Sequence, residues 1–327
     1  MTGLIWPVWR QHRTAYCVLL ALAALSSAWA LWQHHTLVTG VHDWAAACRD
    51  AACGVLTADS GPADSAQIIQ NEAHTALRYL PLAVSALIGA PLFAQDMESG
   101  THRLAWTQST SRTRWAAAKL GVAALLTAVA ALLITAPVTW WWHTIRHGRD
   151  ESGAVGAAWR AHAPQSDWSF LPYTGPAGIA HLLLALVTGA AVGLLLRRLL
   201  PAVAVSAAVT LGVQYALDQL RPHLLTATVT RHAVNVSPAS PVNSWHLGQG
   251  FARTDGGLTD YVDPCPPSDW AAQLRCEQAH HIAGSYSRYL RPSQLAPLQW
   301  LETGICLAAA ALLAVLCLYG VRRIRTR

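Results

Sequence analysis

Long unbroken runs of apolar residues dominate the chain, where a soluble protein would show alternation or a sparse helical stripe. Six runs of 17 to 22 residues, at 15–32, 78–94, 120–140, 177–196, 199–220 and 300–321, hold few or no charges. About 20 apolar residues suffice to cross a bilayer, so each run predicts a transmembrane helix. The fourth and fifth cannot form one helix, because the residues from 177 to 220 would reach about 66 Å, twice the hydrocarbon thickness. A turn is required at Arg197, Arg198 and Pro201, with the two arginines at the headgroups.

Composition agrees with this pattern. The chain has 327 residues, 53% hydrophobic and 12% charged, against about 25% charged in soluble domains. The class is a polytopic, all-α membrane protein.

The net charge of +6, from 23 basic and 17 acidic residues, is first a topology signal and not a nucleic-acid signal. Arg10, Arg13, Arg103, Arg112, Arg114, Lys119, Arg197, Arg198, Arg322, Arg323, Arg325 and Arg327 fall on one face in short segments, with only Asp96 and Glu98 beside them. The positive-inside bias makes that face cytoplasmic, with both termini inside and three longer loops, 33–77, 141–176 and 221–299, outside. Lys119 is the only lysine, which suggests the codon usage of a GC-rich bacterial genome and hence a bacterial plasma membrane; it is read as carrying no mechanism. Residues 4–9 ahead of the arginines suit a segment lying along the interface. The charged, apolar and small-residue order over 10–30 also resembles a cleavable signal peptide, which stands as the alternative.

Cysteines provide a second topological signal. Cys17, Cys306 and Cys317 lie in spans, whereas Cys48, Cys53, Cys265 and Cys276 all lie in loops assigned outside. An even number in an oxidising compartment predicts pairing, and Cys48 with Cys53 and Cys265 with Cys276 is the simplest of three connectivities.

Familiar catalytic patterns are missing. The single lysine follows Ala118, so no Gly-Lys-Ser/Thr phosphate loop exists, and neither His-Glu-x-x-His nor Gly-x-Ser-x-Gly occurs. The chain is therefore expected not to be an enzyme and to bind no cofactor or metal itself. Residues 276–281, Cys-Glu-Gln-Ala-His-His, come nearest to a metal site but suit a disulfide and solvated histidines better. Ionisable or polar groups within spans mark possible substrate-pathway positions: His181, Gln214, Tyr215 and Glu302. Asp218 and Glu302 lie within about a turn of the expected interface, where water is in reach, and His181 is similarly placed.

The most informative stretch is 95–115. Gly100 can end the helix emerging from the second span, Thr101 can cap a short new helix, and Ser109, Thr110 or Ser111 can cap the helix carrying Arg112 and Arg114 into the third span. Arg103, Leu104, Trp106 and Gln108 give that short helix an amphipathic character. Such a helix can transmit force to a docked partner, or can be simply a well-capped loop.

The pattern Glu98-x-Gly100-Thr101-x5-Thr107-Gln108-Ser109, continued by Ser111-Arg112-x-Arg114-Trp115 and Lys119-Leu120-Gly121, resembles the first cytoplasmic loop of ABC type-2 permeases of high-GC bacteria. Residues 6–13, Arg197-Arg198 with Leu200-Pro201, residues 220–223 and the sixth span are similar to other parts of that family, while the resemblance is weak over 224–299. The resemblance implies a membrane subunit pairing with a second permease subunit and with separate subunits that hold ATP and Mg. It implies an exporter whose 95–115 loop is a coupling helix, with Glu98, Gly100, Thr101, Arg103, Leu104, Trp106, Gln108, Arg112 and Arg114 as coupling residues; Arg112 and Arg114 equally suit headgroup anchoring. The expected organisation is an interfacial segment 1–14, spans one to five over 15–223, an extracellular loop domain 224–299, and a sixth span with a basic tail, 300–327. A lipophilic or amphipathic cargo suits Ala- and Leu-rich spans. A ligand sensor or accessory subunit is one alternative. A membrane enzyme using His232, His246, Asp255, Asp260, Asp263, His280 and His281, with Trp245 and Trp270, is another.

Overall fold

The computed structural model describes residues 2–50, 74–101, 111–162, 168–233, 241–260, 275–276 and 279–323. Among them, six helices are long and apolar enough to cross a membrane. In chain order the helices are α1 (Thr2–Asp50), α2 (His74–Ser99), α3 (Arg112–Asp150), α4 (Gly153–His162), α5 (Gly175–Leu196), α6 (Leu199–Leu220) and α7 (Leu295–Arg323). Two compact units result, Met1–Leu217 with Gln299–Arg327, and Asp218–Leu298.

In the helical unit α5 is the core. Of its most apolar window 72% is buried, against 22% for α1, α6 and α7. Helix–helix association in lipid gains little from hydrophobicity and depends on close packing, which small residues permit. Accordingly α2 and α5 meet backbone to backbone: a Cβ added at Gly89 would overlap the Leu186 carbonyl, one at Gly189 the Ser85 carbonyl, and one at Gly193 the Ala90 carbonyl. Gly189→Ala is expected to lower stability by about 1–3 kcal/mol, the cost of overpacking, measured by thermal unfolding of the purified chain in detergent. The same mutation at Gly212, where nothing lies within 4 Å, should be silent.

Span two contains a π-helical turn, Ser85–Gly89. A single such turn in an α-helix often marks a functional position. Here it brings Ser85 towards α6, where the Thr210 hydroxyl donates to Ser85 Oγ at 2.8 Å and Ser85 donates to the Ser206 carbonyl at 3.4 Å.

Two helices are longer than their apolar runs predict. At 49 and 39 residues, α1 and α3 reach about 74 and 58 Å, well past a bilayer of about 30 Å. The segments beyond Trp32 and Trp140, expected as loops, thus begin as helix. Burial explains the continuation: Val41 and Ala45 of α1, Trp142 and Ile145 of α3, and Ala158 and Trp159 of α4 are all buried, with Trp168 beside them. His34 stacks on Trp140 at 3.7 Å and pairs with Thr144 at 3.1 Å. The Arg146 guanidinium lies 4.7 Å from the Trp142 ring and 5.9 Å from Trp168, a cation–π arrangement. At the other end, residues 2–14 continue α1 without a break, so no separate interfacial helix is distinguished.

The segment expected as an extracellular loop is built on a sheet. β1 (Thr228–Ala233), β2 (Trp245–Arg253), β3 (Leu258–Asp260) and β4 (Ile282–Leu290) form an antiparallel sheet in the order β1-β4-β2-β3. The all-α class therefore holds for the membrane part and not for this unit. Alternation in Thr-Val-Thr-Arg-His-Ala, seen as alternating burial along β1, is the period-two signal that could have revealed it. Gly250 opposes Tyr286 in the register, and a Cβ there would overlap the Thr259 carbonyl.

Candidate functional site

The end of α2, the start of α3 and the α5–α6 turn meet in a cluster of named polar contacts. Gly100 ends α2 in the left-handed region, at φ 72°, which glycine adopts without penalty. Ser111 caps α3, accepting from the Arg114 amide at 3.3 Å. Arg197 closes α5 at φ 55°, and its amide donates to the Gly193 carbonyl at 3.0 Å.

Inside this frame sits a buried ion pair. Lys119, about two turns into α3, donates to the Asp96 carboxylate and to the Leu92 carbonyl, the latter at 3.2 Å. Lys119 is 1% exposed and Asp96 4%. Trp115 lies beneath the ammonium at 5.2 Å and beside Phe93 at 5.7 Å. The Thr101 hydroxyl donates to Asp96 Oδ1 at 3.3 Å. A charge at this depth is tolerated only when paired and hydrogen-bonded. In sequence Lys119 counts only as one of the cytoplasmic basic residues and carries no mechanism; in the structure its ammonium is paired inside the protein.

Glu98, two residues beyond Asp96, turns the other way. Its Oε2 accepts the Leu199 amide at 2.7 Å. Leu199 opens α6, so the carboxylate fills one of the free N–H positions of that helix and meets the positive end of its dipole. Of the other expected coupling residues, Arg112 is half-buried and Arg114 exposed. Arg103, Leu104, Trp106 and Gln108 lie outside the described residues.

The four span positions do not form one site. His181 Nε2 and Glu302 Oε1 pair at 2.9 Å between α5 and α7, both buried, so neither reaches water as expected from its distance to the span end. Gln214 donates to the Arg78 carbonyl at 3.1 Å, and Tyr215 is 62% exposed. Asp218 pairs with Arg221 at 3.0 Å. An apolar cleft of about 470 Å³ runs between α1 and α2, lined by residues such as Leu19, Leu22, Leu80, Leu87 and Ile134.

Among the described residues no three His, Cys, Asp or Glu side chains converge as a metal site. Of the residues proposed for an enzyme, His232 contacts Thr230 and Ser287, and Asp255 accepts the Gly257 amide within a turn; Asp263 and Trp270 lie outside the described residues. Among the described residues the free cysteines are Cys17, Cys306 and Cys317, and Cys276 is disulfide-bonded. The side chain of Cys48, and Cys53 and Cys265 entirely, lie outside the described residues, so the pairing remains an expectation.

Comparison with known families matches residues 19–221 to the family described as ABC-2 membrane transporter related. The match runs from within α1 to the end of α6 and stops before the sheet. No curated protein matches the chain. No solved structure matches it either.

Proposed function

The chain belongs to the ABC-2 membrane transporter related family, and from that premise we propose that it is the permease subunit of an ATP-driven exporter. Family membership makes it a multi-pass membrane transport component that partners an ATP-binding subunit. ATP and Mg are held by that partner, since the chain itself has no phosphate loop. A second permease copy, identical or related, completes the pathway. The twelve clustered basic residues put both termini on the cytoplasmic face of a bacterial plasma membrane and the sheet unit outside. There the four loop cysteines pair, Cys48 with Cys53 and Cys265 with Cys276. The cleft between α1 and α2 falls within the size of small-molecule pockets and supports a lipophilic or amphipathic cargo.

The observation that carries this reading is the joint one of the family match and the anchoring of the 95–115 loop. Both flanks of that loop are tied to neighbouring helices, which supports assigning Glu98, Gly100, Thr101, Arg103, Leu104, Trp106, Gln108, Arg112 and Arg114 as the residues that take load from a docked ATPase. Two measurements test it. The chain should co-purify with an ATP-binding subunit of the same organism and alter its ATP turnover. Glu98→Ala should reduce that effect about fivefold, as expected from losing a helix cap worth about 1 kcal/mol. Absence of a stable complex with any such subunit refutes the proposal, and unchanged turnover in Glu98→Ala refutes the role of that residue.

A further inference from the structure

We infer that Asp96 and Glu98 are the two arms of a clamp through which the end of α2 moves α3 and α6 as one body. Residues two apart on a helix project to different sides, and these two acids reach different helices: Asp96 to Lys119 of α3, Glu98 to the Leu199 amide of α6. Both lie in the final turn before Gly100, where α2 ends.

The arms differ in chemistry in a way that suits transmission. The Asp96 arm is dry: Lys119 is enclosed by Asp96, the Leu92 carbonyl and the Trp115 ring, so separating the charges exposes each to an apolar interior. The Glu98 arm is exposed, but it binds the first amide of a 22-residue helix, whose dipole favours a carboxylate there. A second tie between α2 and α6, the Thr210 to Ser85 hydrogen bond, lies more than three turns back along α2. Held at two heights, α6 follows α2 in translation and in tilt. Lys119 is then a positioning residue: it touches no ligand, and it fixes the geometry from which Glu98 acts.

The mechanics stand on these contacts; their use in transport rests on the proposed docking of the 95–115 loop. The test uses the full chain with the double variant Asp96→Asn/Lys119→Met, which removes both charges together and so leaves no buried ion behind. Hydrogen exchange at the Leu199 amide should rise about tenfold or more as α6 loosens, while amides of the α5 core from Gly189 to Gly193 stay protected. Lys119→Arg, which keeps the charge, should hold exchange near the wild-type rate. In complex with the ATP-binding subunit, the double variant should assemble at wild-type stoichiometry yet lose about fivefold of the permease-dependent change in ATP turnover. Unchanged exchange at Leu199 shows the arms to be independent and overturns the clamp, as does full retention of that turnover. A wild-type chain that recruits no ATP-binding subunit overturns the transporter proposal instead, and the exchange result then decides the clamp alone.

Discussion

Replacing Lys119 alone by Met is expected to cost about 3–5 kcal/mol of stability, because it leaves the Asp96 carboxylate buried without its cation. With Asp96 4% exposed, little water reaches the carboxylate, and the Thr101 hydroxyl that donates to it at 3.3 Å is neutral. Replacing both charges, as Asp96→Asn/Lys119→Met, should recover most of that loss, since a neutral pair of similar volume carries no desolvation penalty. Thermal or denaturant unfolding of the two variants in detergent measures the contrast. A single variant no less stable than the double would show that the pair is not held charged in a dry site.

The second large effect is expected at the pair between α5 and α7. Glu302→Leu should cost about 2–4 kcal/mol, because the His181 ring, buried on a helix with no other charged residue within its span, loses its carboxylate partner. Converting both, as His181→Leu/Glu302→Leu, should restore much of the stability. Transport by the double variant then separates two roles. A polar tie between helices leaves transport intact once stability is recovered, whereas a carboxylate used in the pathway leaves a stable chain that does not transport. The geometry favours the tie, since Gln214 and Tyr215 do not converge on the pair.

Several features were legible because they are local. Six apolar runs specify six helices wherever the chain is placed in lipid, and the break at Arg197 follows from length alone. Gly100 and Ser111 act at the positions where their backbone and side-chain chemistry is needed. In sequence Glu98 heads the loop and Asp96 is only the other acid of that face, and what each touches is not legible there. Asp96 meets Lys119 across 23 residues, Glu98 meets Leu199 across 101, and His181 meets Glu302 across 121. A single sequence has no term for such separations.

The same limit governs the sheet and the long helices. Pairing of β1 with β4 joins Thr230 to Ser287, and although the alternation along β1 signals a strand, it does not say which strand it pairs with. α1 and α3 continue past the bilayer because Trp142, Trp159 and Trp168 are buried there, a gain that exists only once α1, α3, α4 and the 3₁₀ turn Trp168–Tyr173 have come together. What the sequence by itself determined is how much of the chain enters the membrane and where it must turn, since transfer into lipid is a property of each segment. What only the tertiary structure decided is which charges face each other, and with that the place of Lys119 as a buried partner of Asp96: the cost of burying a charge depends on its neighbour, and the neighbour is chosen by the fold.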